Sequence, residues 1–311
     1  MITRRDVEDA RARIAGRVRR TPVAELDRDE FAGPTWFKLE LLQHTGTFKA
    51  RGAFNRILSA AEANTLDPAV GVVVASGGNA GLANAYAARV LGVPATVFVP
   101  TTAPAVKVER LRGYGAEVVL HGAEYAVAYE AALAHAERTG AIYCHAYDQP
   151  EIAAGAGTLG LELLDQLDGE VDTVLVAVGG GGLMAGVAAA LEGSARVVGV
   201  EPVTIPTLRT ALERGRPTDV GVSGIAADSL GARRLGDIAY EVATRAGIRS
   251  LLVTDGDIVA ARHRLWAEYR IVVEHGAAAA FAALTSGAYV PAAKERVVVV
   301  LCGANTGPGD L

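Results

Sequence analysis

With 311 residues, half of them hydrophobic and 21% charged, the chain can bury a large core and has the length of one large or two modest domains. A formal charge of −5, with no basic run and no interleaving of aromatic and basic residues, argues against a general nucleic-acid or acidic-membrane binder and favours small-molecule chemistry. No apolar run is long enough to span a bilayer, the first residues lack the apolar core of a signal peptide, and Cys144 and Cys302 stand far apart, which disfavours a disulfide framework or a structural zinc site; a cytoplasmic protein is the expectation.

Thr3 opens the first helical pattern as N-cap, with Asp6 as its box partner and Val7, Ala10 and Ile14 at helical spacing up to residue 17. After Thr21-Pro22 a polar connection leads to Thr35-Trp36-Phe37-Lys38-Leu39-Glu40, whose β-branched and aromatic content predicts a strand. Gln43-His44-Thr45-Gly46-Thr47-Phe48-Lys49-Ala50-Arg51-Gly52-Ala53 follows, a lysine at a tight turn entering a helix over 51–61. A desolvated Lys49 amine becomes a neutral nucleophile able to form a Schiff base, whereas a lysine taken alone more commonly sits solvated on a surface.

From residue 70 onwards the pattern becomes regular. Strands are expected over 70–75, 95–99, 117–120 and 141–144, with helices over 81–91, 103–114 and 125–139 between them. A second series brings helix 153–167, strand 173–178, helix 183–191 and strand 196–200, then a less regular stretch, strand 250–253, helix 257–274, an alanine-rich helix 277–286 and strand 296–301. Such alternation implies parallel βαβ units with right-handed crossovers, and fully apolar strands are expected when both faces are covered. With no repeat or low-complexity segment, two α/β lobes with a cleft between them form the simplest architecture.

Three glycine- or cysteine-bearing turns carry further chemistry. Ser76-Gly77-Gly78-Asn79-Ala80-Gly81 follows a strand and opens a helix, placing backbone amides at the helix's positive end, a seat for an anion. Gly179-Gly180-Gly181-Gly182-Leu183 follows the strand ending at Val178, and its amides can approach a phosphate without obstruction. Gly180 to Ala185 also satisfies a dinucleotide fingerprint, with Glu201 about 20 residues on, so this segment alone leaves an NAD-dependent oxidoreductase open. Cys302-Gly303-Ala304-Asn305 follows the last strand, at the carboxyl edge where α/β sheets gather ligands. Glu274-His275-Gly276 reads as a helix end with a glycine cap, and His121, His135 and His263 have no metal-ligand spacing.

Taken together and in order, Thr45 to Ala53, Ser76-Gly77-Gly78-Asn79, Gly179 to Leu183 and Cys302-Gly303-Ala304-Asn305 resemble the fold-type II pyridoxal-phosphate enzymes, specifically the serine/threonine dehydratases (ammonia-lyases) and serine racemases. The resemblance runs from about Thr21 to the C-terminus and includes Ala154-Gly155-Ala156-Gly157-Thr158-Leu159-Gly160-Leu161-Glu162. It implies a tryptophan synthase β-like fold of two open, twisted, mostly parallel-sheet domains with pyridoxal 5'-phosphate in the cleft. The small domain would be 46–146, and the large cofactor-binding domain 1–45 plus 147–311. Lys49 would hold the cofactor as a Schiff base and then remove the substrate Cα proton. Phe48 would pack beside the ring, Asn79 would bond its phenolic oxygen, and Gly179, Gly180, Gly181, Gly182 and Leu183 would cradle the phosphate. Cys302 would face the pyridine nitrogen, while Ser76 and the amides of Asn79, Ala80 and Gly81 would hold the substrate carboxylate.

The activity so implied is β-elimination from L-threonine or L-serine, giving a 2-oxo acid and ammonia. The alternatives are a serine racemase, or a dehydratase for phenylserine or 3-hydroxyaspartate. Two departures bear on them. Serine racemases carry Ser-Ser-Gly-Asn where this chain has Gly77 at the second position, which favours elimination. Relatives also bind a divalent cation through a glutamate matching Glu201 and a nearby aspartate, but Val203 to Leu208 contains no carboxylate, so backbone oxygens and water would have to complete any metal site. The chain ends soon after Asn305, so no regulatory domain and no feedback by isoleucine are expected. A homo-oligomer, dimer or tetramer, is expected, with an amino acid as substrate and neither nucleic acid nor membrane as partner.

Overall fold

The computed structural model describes residues 1–27 and 30–311. The first helix, α1 (Arg4–Arg13), starts at a capping box: the Thr3 hydroxyl accepts from the Asp6 amide and the Asp6 carboxylate accepts from the Thr3 amide. A strand β1 (Val23–Glu25), within the stretch expected to be a polar connection, runs antiparallel to β2 (Thr35–Lys38). Two 3₁₀ turns, Glu40–Leu42 and His44–Gly46, then lead into α2 (Lys49–Glu62).

The next seven elements alternate as β3 (Val72–Ala75), α3 (Asn79–Leu91), β4 (Ala95–Val99), α4 (Ala105–Gly113), β5 (Glu117–Leu120), α5 (Tyr125–Thr139) and β6 (Ile142–Tyr143). Their strands form a four-stranded parallel sheet in the order β5-β4-β3-β6. After α6 (Pro150–Gln166) come β7 (Thr173–Ala177), α7 (Gly182–Ala190), β8 (Arg196–Pro202), α8 (Thr207–Arg214), the short α9 (Ala227–Leu230), α10 (Asp237–Ala246), β9 (Arg249–Val253), α11 (Asp255–Tyr269), α12 (His275–Thr285) and β10 (Val297–Val300). The second sheet has six strands, ordered β1-β2-β10-β7-β8-β9 and parallel except at β1. β-Branched runs such as Val297-Val298-Val299-Val300 are wholly buried, as a strand covered on both faces requires. Because β10 inserts between β2 and β7, the last strand delivers Cys302 to the middle of the sheet's carboxyl edge.

Three expectations need correction. The helix expected over 257–274 stops at Tyr269, because Arg270 adopts a left-handed conformation (φ 58°) and the β-branched Ile271-Val272-Val273 follows outside any helix. Glu274-His275-Gly276 therefore opens α12 and does not close the preceding helix, with Glu274 extended at the N-cap. The stretch expected to be irregular holds α8 and α10.

Three helices are stacked backbone to backbone through glycines. A Cβ on Gly52 of α2 would stand 2.7 Å from the Ile152 carbonyl oxygen of α6, and one on Gly157 of α6 would stand 2.4 Å from the Gly186 oxygen of α7. No side chain fits at either contact. The stack ties the helix that begins at Lys49 to the helix that begins at the four-glycine turn.

Candidate active site

Lys49 is the first residue of α2, and the segment just before it is pinned to the end of β10. The Phe48 amide donates to the Cys302 carbonyl at 3.1 Å, and Thr47 forms an isolated antiparallel bridge with Gly303. The Lys49 ammonium donates to the Ala146 carbonyl at 3.0 Å and lies 4.9 Å from the centre of the Phe48 ring. Among the described residues it has no carboxylate partner. Lys49 keeps some access to solvent but sits deep among protein atoms, and that burial lowers its pKa from 10.5 to about 8, against the opposing influence of Cys302 and Glu274.

The sign of this shift makes a prediction. Below the folded value the amine is protonated and unreactive, and above it the amine is a free nucleophile. In the cofactor-free protein, reductive methylation of Lys49 by formaldehyde, followed by peptide mass spectrometry, should reach half its maximal rate near pH 8. A midpoint near the ordinary 10.5 would refute the desolvated site.

Asn79, the first residue of α3, sits between two side chains. Its Nδ2 donates to both carboxylate oxygens of Glu274, at 2.8 and 3.1 Å, and its Oδ1 accepts from Asn305 Nδ2 at 2.6 Å. Asn305 Nδ2 also reaches the Thr45 carbonyl at 3.0 Å, and the Glu274 amide donates to the Gly303 carbonyl at 3.1 Å. Thr45, Asn79 and Gly303, from three separate sequence motifs, are thereby joined in one network. Glu274 is a residue the sequence reading missed. Burial raises its carboxyl pKa, with the Asn79 bond and Lys49 acting in the opposite direction. The β-branched run just before it was the signal that a helix had already ended. Cys302 is buried too, and burial, aided by Glu274, pushes its thiol well above the ordinary value, so it stays protonated.

Two turns offer unspent amides. Those of residues 179–183 make no hydrogen bond within the chain among the described residues, and Gly181 has φ 85° at the cap of α7. Gly180 and Gly182 are closely covered: a Cβ on Gly180 would stand 2.3 Å from the Tyr147 ring, and one on Gly182 would stand 2.4 Å from the Tyr147 carbonyl. Tyr147 follows Ala146, the acceptor for Lys49, which links this loop to the lysine. The amides of Asn79, Ala80 and Gly81 are likewise unbonded at the start of α3, while Ser76 Oγ accepts from the Gly78 amide at 3.2 Å. Two sets of free amides beside a lysine of lowered pKa fit a group carrying an aldehyde and a phosphate, together with a carboxylate substrate. The residues present therefore fit pyridoxal phosphate.

Glu201 has a different job. It is fully buried beneath the glycine turn and accepts from the Leu208 amide (2.6 Å), the Arg209 amide (2.9 Å) and Ser250 Oγ (2.7 Å). Thr207 Oγ1 lies 3.1 Å from it and 2.6 Å from the Gly179 carbonyl. A carboxylate so occupied caps α8 and supports the glycine turn, and it is not free for a ribose or a cation. No group of three or more potential metal ligands occurs among the described residues. Both carboxylate oxygens of Glu201 are thus engaged by amide and hydroxyl donors.

A buried charge cluster anchors α2 from behind. Arg51, two residues after Lys49, reaches Glu40 through Nε (2.9 Å) and Nη2 (2.7 Å), and Glu162 through Nη1 (2.7 Å) and Nη2 (2.9 Å). Lys38 joins through Glu162 at 2.8 Å.

Comparison with known proteins agrees with this geometry. A family model described as pyridoxal-phosphate dependent enzyme matches residues 14–303. The chain is 35% identical over 310 residues to an L-threonine ammonia-lyase of Thermotoga maritima, covering 98% of this chain and 76% of that one. It is 39% identical over 303 residues to a phenylserine dehydratase of Ralstonia pickettii, covering 95% and 91%. Among solved structures, a serine racemase from Dictyostelium discoideum superposes with a TM-score of 0.89 at 30% identity, covering 98% of this chain and 99% of that one.

Proposed function

The chain belongs to the pyridoxal-phosphate-dependent enzymes, and we propose that it uses this cofactor to dehydrate and deaminate a β-hydroxy amino acid, L-threonine or L-serine, to a 2-oxo acid and ammonia. The observation that carries this reading is the Lys49 amine, buried, without a carboxylate partner among the described residues and flanked by two turns of amides that make no bond there. The identity to a threonine ammonia-lyase supports it.

When bound, the cofactor supplies an electron-withdrawing ring that acidifies the substrate's Cα–H bond. Lys49 would hold it, and Lys49 Nζ would be the base that takes the Cα proton; a pKa near 8 keeps a useful fraction of that amine neutral at working pH. The amides of residues 179–183 would hold the phosphate. Those of Asn79, Ala80 and Gly81, with Ser76, would hold the substrate carboxylate. Asn79 would meet the ring's phenolic oxygen, and its orientation is fixed by Glu274 and Asn305. Cys302 would face the pyridine nitrogen as a neutral thiol that gives it no proton, so charge at Cα is poorly stored and prompt departure of the β-hydroxyl is favoured. Gly77 brings no side chain that could return a proton on another face, which favours elimination over racemisation. The Cα proton and β-hydroxyl leave as water, and hydrolysis of the resulting enamine consumes one water and yields the 2-oxo acid and ammonia. A cytoplasmic homo-oligomer belongs to the same reading, and the two free, buried cysteines fit a reducing compartment.

The test is direct: holoenzyme incubated with L-threonine should release 2-oxobutanoate and ammonia in equal amounts. Racemised serine recovered without any 2-oxo acid would replace the dehydratase by a racemase.

A further inference from the structure

A side-chain amide offers an NH₂ and a C=O of nearly the same shape, so its partners decide which of the two faces a given neighbour. Asn79 stands at the start of α3 with both groups engaged. Its Oδ1 accepts from Asn305 Nδ2 at 2.6 Å, and its Nδ2 donates to the two Glu274 oxygens at 2.8 and 3.1 Å. Asn305 poses the same question one step further out. Its Nδ2 also donates to the Thr45 carbonyl at 3.0 Å, and its Oδ1 accepts from Nη2 of Arg110, an exposed residue in the last turn of α4. Thr45 presents that carbonyl from a left-handed conformation (φ 64°), which a β-branched residue adopts at a cost.

These bonds run in one direction, from Arg110 through Asn305 and Asn79 to Glu274, and the direction is set at Asn305. A guanidinium has only donors and stays charged at any working pH, so Arg110 can face only the C=O of Asn305. A backbone carbonyl has only lone pairs, so Thr45 can face only its NH₂. Held from both sides, Asn305 turns an N–H toward Asn79, whose C=O must meet it, and the Asn79 NH₂ is left pointing at Glu274. Glu274 could not set this direction by itself. Burial raises its pKa, and a protonated carboxyl can donate as well as accept. α4 connects β4 to β5 in the small sheet, whereas Asn305 follows β10 in the large one, so the Arg110 bond joins elements of the two sheets.

We propose that Asn305, itself oriented by Arg110 and Thr45, is a positioning residue that fixes the polarity of the Asn79 amide, so that Asn79 presents an N–H and not a carbonyl to the cofactor's phenolic oxygen. This rests on the placing of Asn79 at that oxygen under the proposed function, and it gives roles to two residues outside the site. Nδ2 of Asn79 carries two N–H groups; one serves Glu274 and the other is offered to the ring. An N–H there stabilises the phenolic oxygen as an anion, the form that colours the cofactor. A carbonyl there would oblige the oxygen to keep its proton, which moves the absorption into the near ultraviolet.

The test reads the absorbance spectrum of the cofactor-loaded protein without substrate, with bound cofactor quantified after its release in alkali. Asn305→Asp puts an oxygen where the inward NH₂ stood, at almost constant shape, and should raise the ratio of near-ultraviolet to visible absorbance by at least about fivefold, the effect of losing one hydrogen bond to a charged acceptor. Arg110→Glu opposes an acceptor to the outer oxygen of Asn305 and should move the ratio the same way by at least about twofold, Thr45 resisting the turn. Arg112→Glu makes the same change of charge two residues on, where the partner is Glu109, and should leave the ratio at its wild-type value. Should Asn305→Asp fail to fold or to load, the exposed Arg110 position decides the matter. A ratio unmoved in the variants that load, or moved as far by Arg112→Glu as by Arg110→Glu, would overturn the role of Asn305 while leaving the proposed reaction untouched. A protein that shows these spectral shifts but releases no 2-oxo acid from threonine would retain the positioning role and lose the dehydratase reading.

Discussion

Lys49→Ala should lower turnover of L-threonine by at least about 10³-fold and remove the visible colour of the cofactor-loaded protein, while leaving the fold intact. The chain has four lysines, and their surroundings separate them. Lys38 is buried but paired with Glu162, Lys107 is paired with Asp228, and Lys294 is exposed. Lys49 alone combines depth with the lack of a carboxylate partner among the described residues, which is the environment that yields a neutral amine near neutral pH. In the cofactor-free proteins, removing a desolvated cation relieves a cost, so the melting temperature of the variant should match or exceed that of the wild type. Lys49→Arg should be as inactive, because a guanidinium stays protonated and cannot serve as nucleophile or base. The measurement is a 2-oxo acid assay on the cofactor-loaded proteins with a thermal melt of the cofactor-free ones. Retained colour and turnover in Lys49→Ala would exclude this residue.

Arg51→Met should destabilise the protein by about 3–5 kcal/mol, the usual consequence of removing one member of a buried ionic cluster. Arg51 and Glu40 are fully buried, and the wild-type cluster balances Arg51 and Lys38 against Glu40 and Glu162. Without the guanidinium, two carboxylates face one ammonium. Arg51→Lys should recover only part of the loss, since an ammonium cannot engage both carboxylates with a planar fork. The pH dependence follows from Glu40. Burial alone would raise its pKa, but Arg51 overrides that and holds it below the ordinary 4.5. Its contribution in the wild type is therefore present above that value and is lost as pH falls through the depressed one. In Arg51→Met burial prevails and the folded pKa rises, so the variant is relatively more stable in acid and loses that advantage as pH rises. Urea denaturation at neutral pH and near 4.5 should show the gap between the two proteins narrowing at the lower pH. A constant gap, or one that widens in acid, would contradict this account of the cluster.

Much of the site was legible because its chemistry resides in local signals. Runs of valine marked strands covered on both faces, and glycine turns between strand and helix marked amide seats. A lysine next to Phe48 stood out once three other turns could be seen to share its purpose. Interactions between distant residues were invisible for a physical reason. Glu40, Arg51 and Glu162 meet only because α2 and α6 cross at glycines, and no local pattern announces that crossing. Glu274 was misread because Glu-His-Gly is compatible with either end of a helix, and only the β-branched residues before it break the tie. Glu201 satisfied a dinucleotide pattern in sequence; in the fold, the amides of Leu208 and Arg209 account for it as a cap. Tyr129 of α5 meets His145 of the loop after β6, a contact that forms only when the sheet's carboxyl edge is assembled.

The central claim is that Lys49 is the cofactor's covalent anchor, and borohydride reduction of the holoenzyme followed by peptide mapping tests it most directly. The account expects the cofactor's added mass on the peptide that contains Lys49 and on none containing Lys38, Lys107 or Lys294. Added mass on any other lysine, or none at all on a coloured protein, would contradict it.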